Sequence, residues 1–230
     1  MRNIFLATVS LALFVLVAGC KKDNYEPPKS QLSGRVVFQG QPVGVRSGGV
    51  QLELWQPGPE YELWKSTKIP VNVAWDGTFS AMLFDGDYKL TRLKGNGPWA
   101  DNTDTINVQV RGATTVDVPV DPFFIIKGET FQKSGNSINA TFNLQQVNKS
   151  KNLELVRIYL GQTLITDQNN NAVNASKEAS AITDLSQPVT LSATIPASLA
   201  DKDYLFARVG VKTVGVAELA YSQPQKIPLK

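Results

Sequence analysis

"TDTINVQVRGATTVDVPVDPFFI", residues 103–125, carries the signal that decides the fold. Ile106, Val108 and Val110 alternate with Asn107 and Gln109, and Val116, Val118 and Val120 alternate with Asp117 and Pro119. A period of two places one set of side chains in a core and the other in water, which is the pattern of half-buried strands. Arg111-Gly112 between the two runs reads as a hairpin-like turn. Asp121-Pro122 then interrupts the alternation, and Phe123-Phe124 opens a new apolar run. A strand passing directly from one β-sandwich into another would have this form, so the boundary between two domains is placed at residue 122.

The same period recurs on both sides. Toward the N-terminus, strands are expected over residues 32–38, 50–55, 78–83 and 87–93, with turns at Asp76-Gly77 and Asp85-Gly86. Toward the C-terminus they are expected over 125–131, 137–144, 153–160, 189–195, 204–213 and 217–222. No long helical periodicity appears after residue 31. The stretch "TDQNNNAVNASKEASAITDL", residues 166–185, reads as a polar loop with one helical turn. Tyr204, ahead of the alternating run "LFARVGVKT", is a candidate for the corner tyrosine of immunoglobulin-type sandwiches. The fold class is therefore all-β, with a β-sandwich over 32–122 and an immunoglobulin- or fibronectin type III-like sandwich over 123–230.

Composition removes several kinds of chemistry. The 230 residues include no histidine and one cysteine, and the formal net charge is +3. The commonest general base, the commonest metal ligand and any Cys/His dyad are absent. With a single thiol there is no intrachain disulfide. The near-balanced charge and the lack of any basic cluster beyond Lys21-Lys22 argue against nucleic acid as a partner. The carboxylates form no obvious catalytic pair, since Asp85 and Asp87 bracket Gly86 in a turn. Asp101, Asn102 and Asp104 offer oxygen ligands but lack the glycine and distal glutamate of a calcium loop. No catalytic residue, metal site or cofactor is expected.

The single cysteine has its own reading. Residues 4–17 are apolar apart from Thr8 and Ser10, about 14 residues against the ~20 that span a bilayer. Val17-Ala18-Gly19-Cys20 follows and resembles the bacterial lipobox, in which the thiol is acylated and the chain is cut before it. Residues 1–19 are then a signal peptide. Cys20 is the lipid attachment point, and "CKKDNYEPPKSQ", residues 20–31, is a tether stiffened by Pro27-Pro28. Its "KKDN" start is similar to the charged export signal of Bacteroidetes surface lipoproteins. The expected location is the outer membrane, lipid-anchored and facing outward.

"LSGRVVFQGQPV", "DGTF" and "LFDGDYKL", followed by residues 103–125, together resemble the transthyretin-like, carboxypeptidase-regulatory type of β-sandwich. With "DNYEPP" before and "RVGVKT" after, nearly the whole chain beyond Cys20 resembles a Bacteroidetes lipoprotein family of unknown function. That family pairs a transthyretin-like domain with an immunoglobulin-like one. The resemblance implies a gene in a polysaccharide-utilisation locus and a non-enzymatic accessory role beside a glycan importer of the SusC/SusD-like kind. The polysaccharide, or the importer complex itself, would be the partner. The alternative is a structural protein that docks the importer without binding glycan.

The residues that would stack on a sugar are aromatic. Trp55, Tyr61 and Trp64 lie within ten residues around a Pro-Gly-Pro turn. Val50, Leu52 and Leu54 share one face of their strand, so Trp55 points to the other. Trp99, in the polar loop "KGNGPWADNTD", is a separate candidate contact, set against a reading in which it folds back over the sandwich end.

Overall fold

A computed structural model describes residues 26–56 and 68–230. Cys20, the signal segment and the aromatic pair Tyr61 and Trp64 lie outside the described residues. Among the described residues no helix is long and apolar enough to cross a membrane.

The first domain contains β1 (Ser30–Phe38), β2 (Gln41–Pro42), β3 (Gln51–Trp55), β4 (Ile69–Asn72), β5 (Thr78–Leu83), β6 (Gly86–Arg92), β7 (Ile106–Val110) and β8 (Ala113–Pro119). One sheet is antiparallel in the order β4-β3-β6-β7. In the other, β1 is central, with β5 and β2 antiparallel along one edge and β8 parallel along the other. The inward set Leu32, Val36, Leu52, Leu54, Leu90, Val110 and Val118 is buried between the two sheets. Gly34 also points inward from β1. A Cβ there would lie 1.8 Å from the Val116 carbonyl oxygen of β8 and 2.6 Å from the Phe79 ring, so only glycine fits against both.

The runs 106–110 and 113–119 are strands, but they do not form a hairpin. β7 pairs with β6 and β8 pairs with β1, so Arg111-Gly112 carries the chain from one sheet to the other. The alternation of each run is satisfied by burying Val108 and Val118 in the same core from opposite sides. Periodicity alone cannot distinguish that from direct pairing. The true tight hairpin joins β1 to β2. Gln39 and Gly40 both have positive φ, 51° and 76°, as a two-residue type I′ turn requires.

The second domain comprises β9 (Phe124–Ser134), β10 (Ser137–Gln146), β11 (Leu153–Gly161), β12 (Val173–Glu178), β13 (Val189–Thr194), β14 (Tyr204–Thr213), β15 (Ala220–Tyr221) and β16 (Gln225–Pro228). One sheet runs β13-β10-β9. The other runs β12-β11-β14, with β15 and β16 end to end along the far edge of β14. All pairs are antiparallel, and the two inner faces close on Ile138, Phe142, Val156, Ile158, Leu205 and Val209, an immunoglobulin-like arrangement. The expected polar loop at 166–185 contains a full edge strand, β12, before a short 3₁₀ turn at Ala179–Ala181. Its inward residues are small or half-buried, so it carries little apolar signal. Tyr204 is not a corner tyrosine. It is half-exposed, its ring lies edge-on to Phe206, and its hydroxyl donates to no described residue.

The domains dock through polar groups that are themselves buried. Arg208, on the outward face of β14, donates from Nε to the carbonyl of Ser222 at 2.8 Å and from Nη2 to that of Trp75 in the first domain at 2.6 Å. Its guanidinium lies 4.4 Å from the Tyr221 ring centroid. Burial pulls its pKa down to about 10, still far above neutrality, so the group stays charged. Arg46 clasps Glu218 through two hydrogen bonds of 3.1 and 2.6 Å. The Ser47 N–H donates to the fully buried Asp167 at 3.3 Å, and Gly44 bridges to Tyr221.

Candidate functional site

The outward face of sheet β4-β3-β6-β7 is built by the same alternation that builds the core. Leu52, Leu54, Val71, Leu90 and Val108 point in. Their neighbours Gln51, Glu53, Trp55, Asn72, Lys89, Thr91, Asn107 and Gln109 therefore point out. Cross-strand register sets Glu53 opposite Thr91, Trp55 opposite Lys89 and Lys89 opposite Asn107.

These side chains are tied to one another. The Trp55 Nε1–H donates to Thr91 Oγ1 at 3.0 Å. Lys68 Nζ bonds Glu53 at 2.7 Å and lies 5.1 Å from the Trp55 ring centroid. Gln51 donates to Asn72 at 2.9 Å, and Gln109 to Asp87 at 3.0 Å. Among the described residues the result is a surface with one half-buried indole set among amide, hydroxyl, ammonium and carboxylate groups. Such a surface offers an apolar ring face to the C–H side of a sugar, with donors and acceptors nearby for its hydroxyls.

Trp55 thus stands outward at the centre of this face. Trp99 does not join it. It is 5% exposed and packs with the core of the first domain, and Pro122 pairs with it at the domain junction. The reason is local: a Cβ at Gly97 would lie 2.2 Å from the indole, so the Gly97-Pro98 backbone lies against the ring and folds it back over the sandwich end. The reading of Trp99 as an exposed loop contact is corrected accordingly. One edge of the ring still lines a shallow cleft of about 250 Å³ with Asp101, Phe123 and Lys151. Asp101 itself accepts the Gly95 N–H at 2.7 Å, and Asn102 accepts that of Asp104 at 2.6 Å, so both act as loop staples.

Gln51, Lys68, Asn72, Lys89, Thr91, Asn107 and Gln109 were not singled out by sequence. Their signal was present, since each alternates with a buried apolar residue, but only the sheet order brings the strands side by side. Asp85, at the far end of the domain, accepts hydrogen bonds from the Ser30 hydroxyl and the Gly112 N–H, which hold its carboxyl below the usual range. It staples strand ends and takes no part in this face. A second cleft, of about 350 Å³, lies between the domains and is bordered by Phe38, Gln41, Lys127, Glu129 and Tyr221.

Comparison with known proteins places the architecture. Residues 30–121 match a family model described as the N-terminal domain of a protein of unknown function, DUF3823, and residues 124–226 match its C-terminal counterpart, DUF3823_C. No curated protein matches. Among solved structures, a DUF3823 family protein from Bacteroides ovatus is 41% identical, with a TM-score of 0.81, covering 88% of this chain and 100% of its own. One from Parabacteroides merdae is 35% identical, with a TM-score of 0.79 and the same coverage, 88% and 100%. A Bacteroides uniformis protein described as a "putative carbohydrate binding protein" shares the fold at a TM-score of 0.70 and 18% identity, again over 88% of this chain and 100% of its own. This two-domain chain belongs to the DUF3823 family.

Proposed function

We propose that the chain is a lipid-anchored, outward-facing component of the outer membrane that serves a SusC/SusD-like glycan capture and import system without catalysing a reaction. Its glycan contact is the outward face of sheet β4-β3-β6-β7, centred on Trp55. The observation that carries this reading is the Trp55 face itself, which among the described residues sets one indole amid amide, hydroxyl and charged groups. The description of the B. uniformis protein, which shares the fold, is compatible with it. Anchoring rests on Val17-Ala18-Gly19-Cys20.

One observation favours the alternative of a docking protein that binds no glycan. Lys68 already lies over the Trp55 ring, and the indole N–H is already bonded to Thr91. A sugar would have to use the other side of the ring or displace the lysine.

Affinity electrophoresis against a panel of polysaccharides separates the two. Retardation of the wild type by one glycan, weakened about 5- to 150-fold in Trp55→Ala, supports capture, because a stacking ring carries on the order of 1–3 kcal/mol. Free migration through every gel supports docking. The anchor is tested apart from this. Cys20→Ala should abolish lipid labelling and leave an uncut precursor, and protease added to intact cells should cleave the wild type. Unchanged labelling refutes the anchor, and full protection refutes outward display.

A further inference from the structure

Two large apolar side chains stand in water on the other sheet of the first domain. Met82 and Phe84, at the end of β5, are 55% and 52% exposed, and Leu83 between them is buried, so both project from the outward side. Gln31 of β1 lies directly opposite Met82, and Ala113 of β8 lies opposite Gln31. Charges of both signs flank the pair: exposed Lys29, which is paired with Glu26 at 2.6 Å, and exposed Arg111 and Asp85. This is the end of the sandwich where the chain enters β1 from its N-terminal side. β1 then runs to the opposite end, where the β1–β2 hairpin, Trp99 and Pro122 meet the second domain.

We infer that this end of the first domain, with Met82 and Phe84 at its tip, seats on a lipid surface. The molecule then stands end-on with its second domain farthest from the bilayer. The inference rests on the anchor at Cys20. From Cys20 to Ser30 is about ten residues, at most ~35 Å when fully extended. An acylated Cys20 therefore keeps the Met82–Phe84 end within that distance of the bilayer, at a high effective concentration. Scattered exposed apolar residues need no explanation, but here two large ones share one face beside the point where the tether joins.

The test uses the full acylated chain in vesicles of phosphatidylethanolamine and phosphatidylglycerol. Acylation consumes the one native thiol, so Phe84→Cys adds a single labelling site for an environment-sensitive fluorophore. Met82→Cys is a second such site. Val214→Cys, at a position 49% exposed in the second domain, is the control. The expected result is blue-shifted emission at positions 84 and 82, quenched several-fold by lipids carrying a shallow nitroxide, with position 214 unaffected. Protein that does not pellet with vesicles overturns the anchor and the seat together. Protein that pellets with no quenching at 82 or 84 overturns the seat alone. A blue shift at 84 without lipid quenching assigns the patch to a second copy of the chain and likewise overturns it.

Discussion

Arg208 is the residue on which the two-domain arrangement turns. It projects from the outward face of β14, a position that in an isolated sandwich would face water. Here it is fully buried and shared between the Ser222 and Trp75 carbonyls. An arginine in that place is costly to desolvate and costly to remove, because the Ser222 carbonyl would lose its donor while the Trp75 carbonyl would keep only the Val45 N–H. Arg208→Ala should lower the stability of the whole chain by about 1–3 kcal/mol in urea denaturation, the cost of one buried carbonyl left without its donor. A loss under about 1 kcal/mol would show that water replaces the guanidinium at this junction. Tyr159 and Tyr221 pack beside it, and burial pushes both hydroxyl pKa values up, which keeps them neutral at any physiological pH. Trp55 and Trp99 show the opposite fates of one residue type. Trp99 was ambiguous in sequence because its neighbours are polar, and only the packing of Gly97 against the indole turns it inward.

At the scale of elements, the strands that alternate strongly were legible. β5, β10, β11 and β14 fall where the period of two places them, because each buries every second residue against a facing sheet. The strands that were not legible are short or weakly apolar. β2 is two residues held by a turn, β4 contains Pro70 at an edge, and β12 presents small side chains to a partly covered edge. The β7–β8 connection was misread because alternation reports which face is buried and not which strand is the neighbour. The site suffered the same loss. Trp55 could be oriented from its own strand, but Thr91, Lys89 and Asn107 become its neighbours only through the order β3-β6-β7. The first domain closes its own core, separate from that of the second. A fragment spanning residues 26–122, which keeps Ser30 and Gln31 paired with β5, should fold cooperatively with a lower melting temperature than the whole chain. In it the Arg46 guanidinium loses Glu218, and the Trp75 carbonyl loses Arg208 while keeping the Val45 N–H. A fragment that remains unfolded would mean that the interface, and not the core, holds the sandwich together.

The whole molecule sets three features at different places on one frame. The N-terminal entry and the Met82–Phe84 tip share one end, the second domain is fixed to the other by a buried polar interface, and the Trp55 face lies along the side. A lipid-anchored protein so arranged would hold its side face parallel to the path of a glycan approaching the membrane. The most direct test is a titration followed by the indole N–H resonances of ¹⁵N-labelled protein, assigned by single replacement of Trp55, Trp64, Trp75 and Trp99. With the retarding polysaccharide added, the Trp55 resonance should shift and saturate while the buried Trp99 resonance stays in place. Shifts confined to Trp99 or Trp75, or no shift of Trp55 at a saturating glycan concentration, would contradict glycan binding at the Trp55 face.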